Sequence, residues 1–230
     1  MKSSSNIQFE SFLDDLKTDN NTILIESVKT GYKLLFESFE NRDVVIVDIQ
    51  PSYQDYFKFK IYELTDYLNE HHSSANKILW LYNGEDLGME SSSDIEAWLL
   101  ENGLDGDVLD SITFFEKNYA FFRNAMDNGI DHSSIAKLIK YMMDYDITDS
   151  RDLDEATWKI FIENNEDESE IVEFLKDNED MINVPDLMDE LKSITNPIVM
   201  GGGQNECLAE VLIALNVLNI NYDILNKFVY

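Results

Sequence analysis

One cysteine, three prolines and seventeen basic residues are all that this chain of 230 residues holds of those types. A lone thiol forms no intramolecular disulfide, and the opening MKSSSNIQFESF lacks the basic and then apolar regions of a secretion signal, so the expected compartment is a reducing cytosol. No apolar run approaches the roughly 20 residues needed to cross a bilayer, which argues against a membrane-spanning segment. The few cations face 46 acidic residues, leaving a formal charge of −29. That balance disfavours direct binding to nucleic acid or anionic membranes, both of which recruit cationic side chains to phosphate, and favours a basic protein partner.

What is present is enough for a core: 44% of the residues are hydrophobic and 12% aromatic, so high charge does not signal disorder. The length suits one α/β domain, with or without a helical insertion, better than two independent domains. Apolar positions between Phe9 and Glu40 recur at mixed helical spacing and predict an N-terminal helical segment over residues 1–40, packed on the core. From Asp43 the texture changes to VVIVDIQ, whose β-branched run predicts a strand buried on both faces over Val44 to Ile49. Pro51 ends it, YELTDYLNEHH predicts a helix, and KILWLYNG a second strand stopped by Asn83 and Gly84. SSSDIEAWLLENG has a Ser/Asp start and a Gly stop, and SITFFEKN follows as a third strand. Residues 124–194 read as an acidic helical insertion, with IAKLIKYMM, ATWKIFIENN and IVEFLKDN as amphipathic pieces. NPIVMGGGQNECLAEVLIALNVLNINYDIL then supplies a strand, a glycine turn, a helix and a last strand. This alternation predicts a three-layer, Rossmann-like α/β fold with a mostly parallel sheet, built from residues 41–123 and 195–230.

Ligands of open parallel sheets bind beyond the carboxyl ends of the strands, and three chemically able residues fall there: Asp48 after VVIV, Lys117 after ITFFE, and Cys207 after IVMGGG. Gly201, Gly202 and Gly203 allow a backbone turn whose amides face a ligand. Asn205 is the expected N-cap of a helix with Leu208, Val211, Leu212 and Leu215 on its core face, which puts Cys207 in the first turn. The helix dipole and a nearby lysine would both lower the thiol's pKa.

These three segments resemble the motifs of the isochorismatase-like cysteine hydrolases, the family that includes nicotinamidases and related amidohydrolases. VVIVDIQPSYQDYF resembles the family's first strand with Asp48 as its acid, EKNYAFF its lysine motif with Lys117, and VMGGGQNECLAEV its nucleophile turn with Cys207; the order Asp, Lys, Cys is also the family's. The resemblance implies a catalytic triad in which Asp48 takes the thiol proton, Lys117 orients and charge-stabilises the pair, and Cys207 attacks an amide-like carbon to give a thioester. It implies an oxyanion hole from the amides of Gly203 and Cys207, at a turn of Gly202, Gly203 and Gln204 with a cis bond between the two glycines. Gln50, Tyr119, Phe122 and Arg151 are the substrate-binding candidates. Gln204 departs from the family's Thr or Ser three residues before the nucleophile, and the interval from Lys117 to Cys207 is widened. Asp66, His71 and His72 lie in a predicted helix at the wrong spacing for the nicotinamidase metal, so neither zinc nor another cofactor is expected.

Each residue also has a plainer reading. A lone cysteine on an apolar helix is usually a small buried hydrophobe, Asp48 could cap a loop, and Lys117 could be a solvated surface cation. The glycine turn could cradle a phosphate, although no GxGxxG or GKS/GKT pattern accompanies it. Arg151 could clamp a substrate carboxylate or pair with Asp149, Asp152 or Asp154, and His132 beside Asp131 is equally ambiguous. Trp80, Trp98 and Trp158 read as packing residues. The expectation is therefore a hydrolase of a small amide or related acyl compound, with the insertion as lid or specificity cap. Its rival is a catalytically inactive acidic protein that keeps the fold and binds a basic protein as an inhibitor or DNA mimic. Either is compatible with a homo-oligomer. The Asn-, Asp- and Ile-rich composition is of the kind an A+T-rich genome, such as a viral one, encodes.

Overall fold

The computed structural model describes residues 39, 41–84, 88–117, 130, 132–164, 184, 186–204 and 206–230. The N-terminal helical segment therefore lies outside the described residues except for Phe39, as do Tyr119, Phe122, Asn205 and the piece IVEFLKDN. Five strands form one parallel sheet: β1 (Val44–Val47), β2 (Ile78–Asn83), β3 (Ile112–Lys117), β4 (Ile198–Gly201) and β5 (Asp223–Val229), in the order β3-β2-β1-β4-β5. All of them fall where the sequence texture places strands. The helices, in chain order, are α1 (Ile61–His71), α2 (Ser92–Glu101), the short α3 (Gly106–Leu109), α4 (His132–Asp144), α5 (Glu155–Asn164), α6 (Leu187–Leu191) and α7 (Cys207–Val217).

The period-2 alternation of a strand decides which core each residue joins. Val45, Val47, Leu79, Leu81 and Val199 face a core closed by α4, α5, α6 and α7. Val44, Ile46, Ile78, Trp80, Ile198 and Met200 face a second core with α1 and α2. Every residue of β1, β2 and β4 is buried, the signature of strands covered on both faces. The chain is thus a three-layer α/β protein. Among the described residues no helix is long and apolar enough to cross a membrane.

Two local expectations are corrected. β1 stops at Val47 rather than running to Ile49, because Asp48 adopts a left-handed φ of 50°, which a pleated strand does not accept. The N-cap of α7 is Glu206 and not Asn205, and its side chain makes no capping hydrogen bond. The region read as an insertion contributes to the core itself: Ile135, Leu138, Ile139 and Met142 of α4 are buried with α7 against the sheet. The start of α2 is as the sequence suggests, with Ser91 and Asp94 forming a capping box.

The strand order places a topological switch at β1, since the chain moves from it to β2 on one side and later to β4 on the other. A crevice beyond the carboxyl ends of the strands belongs at such a point. Gly201, paired with Val47 at the end of β4, has φ 110°, and a Cβ there would fall inside the contact distance of the Val47 carbonyl oxygen. Gly201→Ala should therefore lower the unfolding free energy by about 3 kcal/mol or more in urea denaturation. Gly106→Ala, which meets open space and ordinary φ, serves as the reference and should change it by less than about 0.5 kcal/mol.

Candidate active site

The switch point gathers residues from four elements. Asp48 follows β1, Asn83 and Lys117 are the last residues of β2 and β3, and Cys207 opens α7. Asn83 and Lys117 are register partners in adjacent strands, so the sheet itself sets one beside the other. Lys117 is only 2% exposed and Asp48 1%, and their Nζ and Oδ2 atoms lie 3.1 Å apart. The surface-cation reading of Lys117 is excluded by that burial. The same ammonium donates to Asn83 Oδ1 at 2.9 Å and stands 3.7 Å from Oε2 of Glu210, a residue 0% exposed on α7.

One amide oxygen and two carboxylates, from three elements, thus surround the ammonium. Burial by itself would lower the lysine's pKa, but the carboxylates of Asp48 and Glu210 outweigh it and hold the pKa well above the ordinary value. Lys117 stays charged at any working pH.

Cys207 is partly exposed at the first position of α7 and is the chain's free cysteine. Its environment corrects the expectation of a lowered thiol pKa. Burial pushes it up, the Asp48 charge adds to the rise, Glu210 adds more, and Lys117 opposes them without prevailing. The group is therefore a protonated thiol in the field of two carboxylates.

Two phenols complete the surroundings. Tyr53, in the 3-10 turn Pro51–Tyr56, accepts a hydrogen bond from Asn83 Nδ2 at 2.9 Å, and burial with the Asp48 charge pushes its pKa up to about 12. Tyr230, just past β5, donates from its hydroxyl to the carbonyl oxygen of Asp48 at 2.7 Å. That bond braces the left-handed residue, and the hydroxyl would lie 2.5 Å from a Cβ on Gly202, so only glycine fits beneath it. The phenol's pKa is also raised, by burial and then by Asp48 and Cys207.

The glycine turn is tightly tied. Gly202 N–H donates to Val47 O at 2.6 Å, Gln204 N–H to Tyr230 O at 2.9 Å, and Glu206 N–H to Gly203 O at 2.7 Å. The described backbone contains no cis peptide bond, so the Gly202–Gly203 link is trans, unlike the expectation. The trans chain still turns sharply because Gly201 and Gly203 take positive φ and Leu208 N–H reaches back 3.0 Å to Gly202 O.

No protein-family model, curated protein or solved structure matches this chain. The likeness to the cysteine hydrolases rests on the three sequence motifs alone.

The remaining candidates separate. Gln50 is fully buried, donating to Asn83 O at 3.0 Å and to Glu90 at 2.8 Å while accepting from Asn83 N at 3.0 Å. Its side chain braces the loop after β1 against the end of β2. Arg151 is exposed and forms an ion pair with Asp149, the second of its two readings. Asp66 and His71 lie on α1, where His71 packs edge-on against Tyr67. Sequence reasoning missed Asn83, Glu210, Tyr53 and Tyr230. Of these Glu210 left a trace, a single acid inside CLAEVLIALNV, where nearly every other residue is buried apolar.

Alkylation of Cys207 with iodoacetamide across pH should place the parent thiol above the ordinary range of about 8.5. Asp48→Asn should bring the midpoint down and Lys117→Met drive it further up. An ordinary midpoint indifferent to both changes would mean that the thiol does not feel the pair. Burial of the phenols adds an alkaline limit to stability. Tyr53 and Tyr222, both pushed up to about 12, keep a proton in the folded state that the unfolded chain loses near 10. Their contribution is whole below pH 10 and fades as the pH rises towards 12, so urea midpoints should fall across that window.

Proposed function

We propose that the chain is a cysteine-dependent hydrolase of a small amide or related acyl compound, with Cys207 and Asp48 as its catalytic residues and Lys117 as the residue that positions them. The observation that carries this reading is the buried Lys117–Asp48 pair, 3.1 Å apart, set against the one thiol of the chain at the start of α7. Asp48 takes the thiol proton as sulfur attacks the carbonyl carbon. The tetrahedral intermediate collapses, the C–N bond breaks, and the departing amine receives the proton from Asp48, leaving a thioester on Cys207. Water, deprotonated by Asp48, then attacks the thioester; acid is released and the thiol is restored. The sum is amide plus water to acid plus amine.

The raised thiol pKa fits this order, because sulfur loses its proton only when the substrate is in place and Asp48 is ready to receive it. Lys117 supports the thiolate that forms, while its contacts to Asp48 and Asn83 keep it within the protein. The amides of Gly203 and Cys207 are the pair that would meet the oxyanion. The neighbouring amides of Gly202, Gln204 and Glu206 are engaged with Val47, Tyr230 and Gly203. Tyr53 and Tyr230 supply aromatic surface with hydroxyl tips beside the thiol, suited to a small, mostly neutral acyl group.

The charge of −29 favours a second reading, in which the fold is retained as an acidic binder of a basic protein. The two separate in one experiment. The purified chain is incubated with a panel of small carboxamides, quenched in acid, and assayed for released amine and for an acyl adduct on intact protein. A hydrolase gives both; Cys207→Ala abolishes both, and Asp48→Asn lowers turnover by about 10²-fold or more. Absence of turnover and of any adduct, with salt-sensitive capture of a basic protein that survives Cys207→Ala, would replace the hydrolase with the binder.

A further inference from the structure

A carboxylate taken wholly out of water is costly, and proteins keep one only where something compensates it. Glu210 is 0% exposed, sits one helical turn after Cys207, and brings its Oε2 within 3.7 Å of the Lys117 ammonium. The triad as proposed does not use it. Around the ammonium that it faces stand Asp48 from the end of β1 and Asn83 from β2, with Cys207 at the start of α7; Tyr53 and Tyr230 feel the Asp48 charge, and Glu206, the N-cap of α7, acts on Tyr230. Two carboxylates, Asp48 and Glu210, thus stand 3.1 Å and 3.7 Å from one ammonium.

We infer that Glu210 is a positioning residue of the candidate site, which holds the Lys117 ammonium from the α7 side and divides its charge with Asp48, so that Asp48 remains able to accept the Cys207 proton. The inference rests on the hydrolase reading for its catalytic consequence, though not for its electrostatic one.

The argument is one of charge balance. An isolated Lys–Asp pair in low dielectric is strongly stabilised as two ions, and an Asp so held is a poor base towards a neighbouring thiol. A second carboxylate on the same ammonium weakens that hold. When Asp48 becomes neutral on receiving the proton, Glu210 is still there to balance Lys117, and the lysine has no reason to move. Placement on α7 matters as well, since the helix that carries the nucleophile thereby carries the group that anchors its partner. The distances order the three contacts in the same way: Asn83 at 2.9 Å and Asp48 at 3.1 Å hold the ammonium directly, and Glu210 at 3.7 Å acts through charge.

The test is the pH profile of Cys207 alkylation by iodoacetamide in the full chain, for the parent, Glu210→Gln, Lys117→Met and the double variant. Glu210→Gln should shift the thiol midpoint down by about one pH unit, a tenfold faster reaction below the midpoint. In the Lys117→Met background the same change should have little effect, because the buried carboxylate without its cation takes up a proton. Identical profiles for parent and Glu210→Gln, or an equal shift with and without Lys117, would overturn the inference. Should Glu210→Gln fail to fold, the parent labelled with ¹⁵N-lysine takes its place. One slowly exchanging ammonium signal with a nuclear Overhauser contact to the Glu210 side chain supports the anchor, and absence of that contact overturns it. Where an amide substrate is turned over, Glu210→Gln should lower kcat about tenfold with KM unchanged, and an unaltered kcat counts against it. A chain without turnover whose thiol profile still shifts would refute the hydrolase while leaving the Glu210 assignment standing.

Discussion

A single ammonium group buried at the carboxyl end of the sheet organises everything around it. Lys117 reaches that position because β3 pairs with β2 in a register that sets it beside Asn83, and because β1 ends where Asp48 turns its carboxylate towards it. Removing the cation would leave two buried carboxylates, Asp48 and Glu210, with no compensating charge, a loss of about 3–5 kcal/mol for a broken buried pair. The site and the stability of this end of the fold therefore depend on one interaction.

Backbone geometry serves the same cluster. Asp48 accepts a left-handed φ that a residue inside a strand would refuse, and Tyr230 steadies it by hydrogen bonding its carbonyl. Gly202 lies under that phenol, and the N–H of the next residue but one, Gln204, returns to the Tyr230 carbonyl. Tyr230, just past β5, is thus stitched to the glycine turn region by both its side chain and its main chain. Burial and the neighbouring carboxylates keep the Cys207 thiol protonated, while the same carboxylates keep the buried Lys117 charged.

Much of the architecture was legible beforehand. Four of the five strands announced themselves as short β-branched or aromatic runs followed by Pro, Gly or Asn, since a strand covered on both faces has little room for polar residues; β5, which runs through Asn226 to Val229, was marked only by the apolar start of NYDIL. Asp48, Lys117 and Cys207 could be picked out because they stand directly after such runs. Asn83 was read only as a strand stop, and nothing singled out Tyr53 and Tyr230, because contacts across 30 residues or more leave no local pattern. Glu210 was legible in principle, as the one acid in an otherwise apolar helix; periodicity drew attention to the leucines around it instead.

Sequence alone determined the alternation of strands and helices, the acidic surface and the three residues worth watching, because burial patterns and strand ends are local properties of a chain. Tertiary structure alone decided that these residues meet, that the lysine is buried rather than solvated, and that the thiol's pKa rises rather than falls. Those outcomes turn on distances between elements far apart in the chain and on how much water is excluded when they pack, and neither quantity is written in any one segment.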